Sequence, residues 1–135
     1  MIPERKEIVR SWYRKASSDL AYAKLGLTSG EVFRVGAVYH CQQAAEKAIK
    51  ALHCFYGLTP PKSHDLVRLV ELLQPSCDLQ ECLKGAEFLT PMATEFRYPG
   101  ESEEPTEADA QRAWEYAEFI FRNAEFLIKD NLSLL

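Results

Sequence analysis

The chain has 135 residues, of which 47% are hydrophobic and 27% charged, and its formal net charge is −4 at pH 7. Such a chain suits one globular domain, residues 1–135, and the composition excludes disordered, collagen-like and low-complexity proteins. No apolar run is long enough to cross a bilayer, and charges precede any run of signal-peptide length, so we expect a cytoplasmic protein with no membrane partner.

Apolar residues recur at helical spacing in five segments, and strand patterns are nearly absent. The first segment begins near Pro3 or Glu4, where proline suits the first turn of a helix. Its apolar stripe runs from Val9 to Leu27 in steps of four and three residues. This spacing predicts a long amphipathic helix that packs in a bundle.

The second segment is the longest predicted helix. Thr28-Ser-Gly-Glu31 has the spacing of a capping box, and the helix is predicted to run to about Tyr56, where Gly57 ends it. Small side chains let neighbouring helices approach closely. The predicted core face consists mainly of such residues: Ala37, Cys41, Ala44, Ala45 and Ala48.

A short third helix follows two adjacent prolines, which force a non-helical connection. Ser63 is predicted to cap this helix, and Asp65 in its first turn is predicted to stabilise the N-terminus. The helix should end before Pro75.

A fourth helix is predicted to begin behind Ser76, to kink or break at Pro91, and to end by Tyr98. An acidic loop, residues 99–105, comes next. Thr106 and Asp109 have capping-box spacing at the start of the last helix. The sequence therefore predicts an all-α, up-and-down bundle of four long helices and one short helix.

Polar side chains form a stripe along the second helix. His40, Gln43, Lys47 and Lys50 follow one another at intervals of three, four and three residues, which places them on one side. The stripe can be a solvated face, or its imidazole, amide and ammonium groups can bind phosphate oxygens and base edges. Both interpretations are left open by the sequence.

The four cysteines have none of the spacings of a zinc site. We predict reduced, buried thiols that pack as small hydrophobic groups, and we expect neither a metal nor a cofactor. Glycine-rich phosphate loops and hydrolase motifs are also missing from the sequence, which argues against P-loop and ordinary hydrolase chemistry.

Charge is unevenly distributed between the two halves of the chain. Residues 1–62 have a net charge of +5, and residues 63–135 have a net charge of −9. A basic first half can face an anion such as a nucleotide or RNA, or the two halves can attract each other within the fold.

Four segments together resemble the HEPN domain, named for a nucleotide-binding domain of higher eukaryotes and prokaryotes. They are ASSDLAYA at 16–23, YHCQQAAEKAIKAL at 39–52, HDL at 64–66 and RYP at 97–99. The resemblance extends from about Trp12 to Ile128. It implies a helical bundle that forms a homodimer and works beside a minimal nucleotidyltransferase in a toxin–antitoxin pair.

The resemblance also implies a test for ribonuclease activity. Many HEPN domains cleave RNA without a metal through an Arg that is followed, after four to six residues, by a His. Arg97 stands at the position of that Arg, but the only histidines are His40, His53 and His64, all of which precede it. Arg34 and His40 have the right spacing, yet within one helix they would point about 120° apart.

We therefore expect a non-catalytic HEPN domain that binds a nucleotide such as ATP or GTP, a nucleotidyltransferase, or both. The alternative is a metal-independent ribonuclease that binds RNA and uses a displaced histidine, with Arg97, His64 and His40 as the weak catalytic candidates. A bare interaction module with no ligand is a third possibility. The residues predicted to bind a ligand are His40, Gln43, Lys47, Lys50, His64 and Arg97.

Overall fold

The computed structural model describes residues 1–96, 99 and 104–132, and this part of the chain is helical, with no strand. The five α-helices are α1 (Pro3–Leu27), α2 (Arg34–Phe55), α3 (Leu66–Leu73), α4 (Leu83–Leu89) and α5 (Glu107–Leu132). Three 3₁₀ turns complete the helical structure: Glu31–Phe33, Gln80–Cys82 and Thr90–Ala93. The all-α prediction is confirmed. Within the described residues, no helix is both long and apolar enough to cross a membrane.

Helices α1 and α2 form an antiparallel hairpin. The Nε of Arg5 near the start of α1 donates to the carbonyl of Cys54 near the end of α2. At the other end, a Cβ added to Gly26 would lie 3.0 Å from the Cβ of Ala37. The two helices therefore stay in contact along their length, and the small residues bring their backbones close together.

Helix α2 is the centre of the molecule, because α1, α3, α4 and α5 all pack against it. Its buried residues are distributed around most of its circumference, as expected for a helix covered on several sides. The predicted small core face is confirmed, since all five of its members are buried: Ala37, Cys41, Ala44, Ala45 and Ala48.

The fourth predicted helix is shorter than the sequence pattern indicated. It consists of a 3₁₀ turn, the two turns of α4, and a second 3₁₀ turn that contains Pro91. Proline has no N–H to continue the α-helical hydrogen bonds, which explains the change of helix type. Gly85 of α4 lets this short helix lie against Tyr116 of α5, because an added Cβ would come within 3.0 Å of that ring.

The helix ends agree with the sequence pattern in some places and not in others. Thr106 and Asp109 form the predicted capping box, with backbone-to-side-chain hydrogen bonds of 3.0 and 3.1 Å. Gly57, at φ +81°, follows the end of α2 as predicted. The capping box predicted at Thr28 is wrong, because the Thr28 hydroxyl bonds to carbonyls at the end of α1. Gly30, at φ +112°, then leads into a 3₁₀ turn, so α2 starts at Arg34.

The cap of α3 also differs from the prediction. Asp65 is the N-cap residue, and its side chain accepts hydrogen bonds from the backbone N–H groups of Val67 and Arg68. Ser63, the predicted cap, instead accepts a hydrogen bond from the N–H of Asp65. The predicted stabilising role of Asp65 is confirmed. The cap moves from Ser63 to Asp65 because the helix begins later than the sequence suggested.

Candidate functional site

One acidic residue of α1 holds two residues of α2. Asp19 is buried, and its Oδ1 accepts a hydrogen bond from His40 Nδ1 at 2.8 Å. Its Oδ2 accepts a second bond from Lys47 Nζ at 2.5 Å. His40 and Lys47 are seven residues apart, about two turns of helix, so they meet the same carboxylate from one face of α2.

A second buried acid lies on α2 itself. Glu46 accepts hydrogen bonds from Lys50 Nζ at 3.1 Å, from Gln42 Nε2 at 3.1 Å and from His64 Nδ1 at 2.8 Å. His64 comes from the segment between α2 and α3, so this carboxylate fixes that segment to the helix. Lys50 also lies 5.6 Å from the ring centre of Trp12, within cation–π distance.

Amide side chains extend the Glu46 group. Gln43 Nε2 donates to Gln42 Oε1 at 2.7 Å, and Gln42 Nε2 also donates to the carbonyl of His64 at 3.3 Å. Gln43, Lys47 and Lys50 are neighbours on the surface of α2, at spacings of three and four residues, so the two groups adjoin each other and we treat them as a single site. We call this site the polar cluster, and its members are Asp19, His40, Gln42, Gln43, Glu46, Lys47, Lys50 and His64.

The polar cluster has an acidic inner layer and an outer layer of hydrogen-bonding groups. The side chains of Asp19 and Glu46 are 10% and 5% exposed. Those of Lys47, His40 and His64 are 23%, 34% and 72% exposed. A molecule that approaches from solvent therefore meets an ammonium group and two imidazoles before it meets a carboxylate.

Each imidazole is oriented by the acid behind it. A carboxylate can only accept here, so Nδ1 of His40 and of His64 carries the proton in its hydrogen bond. The outward Nε2 of each ring accepts a hydrogen bond when the ring is neutral and donates one when the ring is charged. The arrangement can bind an anion, and it can also take a proton from a bound molecule.

Comparison with known proteins identifies the family. The HEPN domain model matches residues 9–127, most of the chain. The chain belongs to the HEPN family. Two solved structures are similar to this HEPN domain, whereas no curated protein matches it.

The first similar structure is that of TT1696 from Thermus thermophilus, with a TM-score of 0.79 and 26% sequence identity. The match covers 87% of this chain and 96% of that chain. The second is ST0689, described as an archaeal HEPN homologue, with a TM-score of 0.73 and 29% identity over 90% of this chain and 98% of that chain. Both comparisons support the HEPN helical fold.

The HEPN fold brings together five of the six residues predicted to bind a ligand. They are His40, Gln43, Lys47, Lys50 and His64, and all five belong to the polar cluster. The sixth, Arg97, lies outside the described residues, as do Tyr98 and residues 100–103 of the predicted acidic loop. Arg34 does not join His40, since its guanidinium donates to the carbonyl of Pro105 at 3.4 Å.

The two acids at the centre of the cluster are not among the residues predicted from the sequence to bind a ligand. Asp19 lies inside the apolar stripe of α1, between Ala16 and Ala23, at the spacing of a buried position. A charged residue is rarely buried without a partner. The position of Asp19 in the apolar stripe therefore indicates a buried carboxylate that is paired with a polar or cationic side chain. Glu46 follows Gln42 by four residues, but its contact with His64 depends on the path of the chain after α2.

The remaining histidine and the cysteines form no side-chain hydrogen bond with the polar cluster in the part of the chain that the structure describes. His53 is buried, and its Nε2 donates to the carbonyl of Leu69 at 2.8 Å; burial lowers the pKa of this imidazole. All four cysteines are free thiols. Burial raises the pKa of Cys41 to about 12 and, with Glu81 nearby, that of Cys82 to about 11. Within the described residues no group of side chains could hold a metal ion.

Proposed function

We propose that this HEPN domain binds the phosphates of a nucleotide on the polar cluster and does not alter them chemically. The observation that carries the proposal is the layered arrangement of the cluster, with Lys47, His40 and His64 outside two buried carboxylates. Gln43 adds an amide, which is bonded to Gln42. The side chains of Lys47, His40 and His64 are partly exposed to solvent and are held in place by the two carboxylates before any ligand arrives, which reduces the entropic cost of binding.

Lys50 has a different role in this proposal. Its side chain is only 8% exposed, and it is held between Glu46 and the ring of Trp12. It therefore neutralises Glu46 and keeps the carboxylate in position for His64. A ligand would contact Lys47 and His64 directly, whereas the buried Lys50 would act on it mainly through the electrostatic effect of its positive charge.

Calorimetric titration with ATP, GTP and their monophosphates tests the proposal. We expect binding that weakens in His64→Ala, whose exposed side chain can be removed without opening the core, and in Lys47→Gln, which keeps a hydrogen-bond donor for Asp19. Lys62→Ala is the matched control, because it removes an exposed cation two residues from His64 and outside the cluster. Equal affinity in all four proteins would contradict the proposal.

A second candidate function is metal-independent cleavage of RNA. The observation in its favour is the hydrogen bond from His64 Nδ1 to the buried Glu46, which leaves an exposed Nε2 as a base for a 2′-hydroxyl. Arg97 would then be the cation at the scissile phosphate. Cleavage of structured and unstructured RNA in EDTA, lost in both His64→Ala and Arg97→Ala, would support this function. Intact RNA after prolonged incubation would exclude it.

We also propose, from the family resemblance, that the domain is a homodimer in a toxin–antitoxin pair with a minimal nucleotidyltransferase. Support comes from an apolar groove of about 470 Å³ beside Trp12, at whose edge Ile2, Ile8 and Leu58 are exposed. Exposed apolar patches of this kind are typical of protein contacts. Light scattering at two concentrations tests the dimer, and a monomer at both would contradict it; a pull-down with the nucleotidyltransferase tests the pair.

A further inference from the structure

A second apolar cavity opens at the other end of the α1–α2 hairpin, next to the polar cluster. Its volume is about 400 Å³, within the range of small-molecule sites. We call it the aromatic cavity, and the residues that matter for its shape are Tyr22, Leu25, Phe33, Gly36, Ala37 and His40.

The floor of the aromatic cavity is made of small residues at the start of α2. A Cβ added to Gly36 would find no other atom within 4 Å, so the space above this residue is open. Glycine in a helix is less favourable than alanine by about 1 kcal/mol, and here the missing side chain enlarges the cavity. Ala37 beside it lies in contact with Gly26 of α1 and closes the bottom of the cavity.

The walls of the aromatic cavity are large apolar side chains that the fold leaves exposed. Tyr22 and Phe33 are each more than half exposed, and so is Leu25. Two aromatic rings at the mouth of a concave apolar site form a surface on which a flat ring can stack. These exposed apolar side chains therefore line a cavity and do not form only an apolar patch.

One wall of the aromatic cavity belongs to the polar cluster. His40 lines the cavity, and its ring stacks on Tyr22 with the centroids 5.3 Å apart and the planes at 25°. The same imidazole bonds to Asp19, whose other oxygen holds Lys47. The aromatic cavity and the polar cluster thus share one residue.

We propose that the aromatic cavity receives the base of the nucleotide whose phosphates bind the polar cluster. The proposal rests on the proposed function, because it places the second half of the same ligand. A free nucleotide joins a flat, stackable ring to an anionic tail, and the aromatic cavity and the adjoining polar cluster match these two parts in turn. The base lies between Tyr22 and Phe33 over Gly36, and the phosphates extend past His40 toward Lys47.

Calorimetric titrations with ATP, adenosine and tripolyphosphate test this placement. In the unaltered protein we expect ATP to bind at least about tenfold more tightly than tripolyphosphate, the effect of one base stacked on aromatic side chains. Gly36→Leu should fill the cavity and reduce the affinity for ATP to that for tripolyphosphate. Adenosine should bind weakly to the unaltered protein and not to Gly36→Leu.

Gly36→Ala is the matched control, since one methyl group is too short to fill the cavity, and it should keep the preference for ATP. Both Gly36 variants should melt at or above the temperature of the unaltered protein, because the added Cβ meets no neighbour and helix propensity rises. A variant that melts at a lower temperature is replaced by Phe33→Ala, an exposed position at which the same loss of preference is expected.

The possible failures can be told apart. Equal affinity for ATP and tripolyphosphate, or a preference that survives Gly36→Leu, would overturn the base site and leave phosphate binding at the polar cluster intact. An absence of binding by all three compounds would overturn both proposals. Light scattering on the same samples adds one outcome: a dimer that Gly36→Leu converts to a monomer would overturn the base site by showing that a second copy of the chain covers the cavity.

Discussion

The buried acids determine what the individual residues of the polar cluster can do. A carboxylate in a protein interior needs charged or hydrogen-bonded partners, because its transfer from water is costly. Asp19 and Glu46 each have at least two such partners. The cationic side chains of α2 are therefore fixed in position, and their orientation does not depend on a ligand.

The Glu46–Lys50 pair gives a prediction for stability. Both side chains are almost fully buried, so Glu46→Ala leaves an uncompensated ammonium group in the core and should cost about 3–5 kcal/mol. Glu7→Ala, which breaks an exposed pair with Arg10, should cost at most about 1 kcal/mol. Urea unfolding at neutral pH measures both. The double variant Glu46→Leu, Lys50→Met should recover much of the loss, and similar costs for Glu46→Ala and Glu7→Ala would contradict the prediction.

The buried imidazole of His53 predicts a loss of stability in acid. Its pKa is lowered in the fold by burial and by the nearby charge of Lys50, although its hydrogen bond to Leu69 opposes this effect. As the pH falls below about 6.5, His53 takes up a proton in the unfolded chain before it does so in the folded protein. The contribution of the neutral, buried imidazole to stability is therefore complete only above that pH. It then falls by up to about 1.4 kcal/mol per pH unit until the folded imidazole is also protonated.

His53→Gln tests this sign, since glutamine keeps a donor for the Leu69 carbonyl and does not titrate. Urea unfolding of both proteins at about pH 8 and about pH 5 gives the stability difference at each pH. We expect the unaltered protein to be the more stable at the higher pH and its advantage to shrink at the lower pH. An advantage that is the same at both values would show that His53 does not contribute to the acid sensitivity.

At the level of helices, the cap of α3 gives a prediction that separates two neighbouring residues. Asp65 accepts two backbone hydrogen bonds from the first turn of the helix, whereas Ser63 accepts one from the residue before it. Asp65→Ala should therefore destabilise the protein by about 1 kcal/mol, and Asp65→Asn by less. Thermal unfolding of these variants and of Ser63→Ala is the measurement. A larger loss of stability in Ser63→Ala than in Asp65→Ala would contradict this prediction and would mean that Ser63 caps the helix, as the sequence predicted.

The helices show how far the sequence could predict this molecule. Local signals predicted the box of Thr106 and Asp109 and the glycine at 57. Equally local signals failed at Thr28 and Ser63, because the preceding helix and the start of α3 decide which groups those hydroxyls meet. The fourth helix was misjudged because its 3₁₀ turns have nearly the same apolar spacing as an α-helix.

The candidate site could be predicted only in part, for a related reason. The stripe on α2 follows from helical spacing and needs no tertiary information. The contacts of Asp19 with His40 and Lys47 span 21 and 28 residues of sequence, and they depend on the register between two helices. The contact between Glu46 and His64 depends on an irregular segment. Spacing along one helix carries no information about either arrangement.

For the whole molecule, the uneven charge of the chain leads to few ion pairs between its basic and acidic halves among the described residues. Residues 1–62 have a net charge of +5 and residues 63–135 a net charge of −9. Within the part of the chain that the structure describes, the ion pair between His64 and Glu46 is the one that joins the two halves. The net charge of +5 on the first half is therefore not offset by close ion pairs with the acidic half among the described residues, and it can attract an anionic partner.

This distribution predicts that salt affects ligand binding more than stability. Between about 0.05 and 0.5 M KCl, the melting temperature of the ligand-free protein should change by only about 2–3 °C, since exposed ion pairs contribute little. Over the same range the affinity for ATP should fall several-fold, because salt screens the attraction between phosphates and the basic half. Thermal unfolding and calorimetry in the same buffers measure both quantities. A steep fall in melting temperature at constant affinity would mean that the two halves hold each other by their charges and that the basic half is not a binding surface.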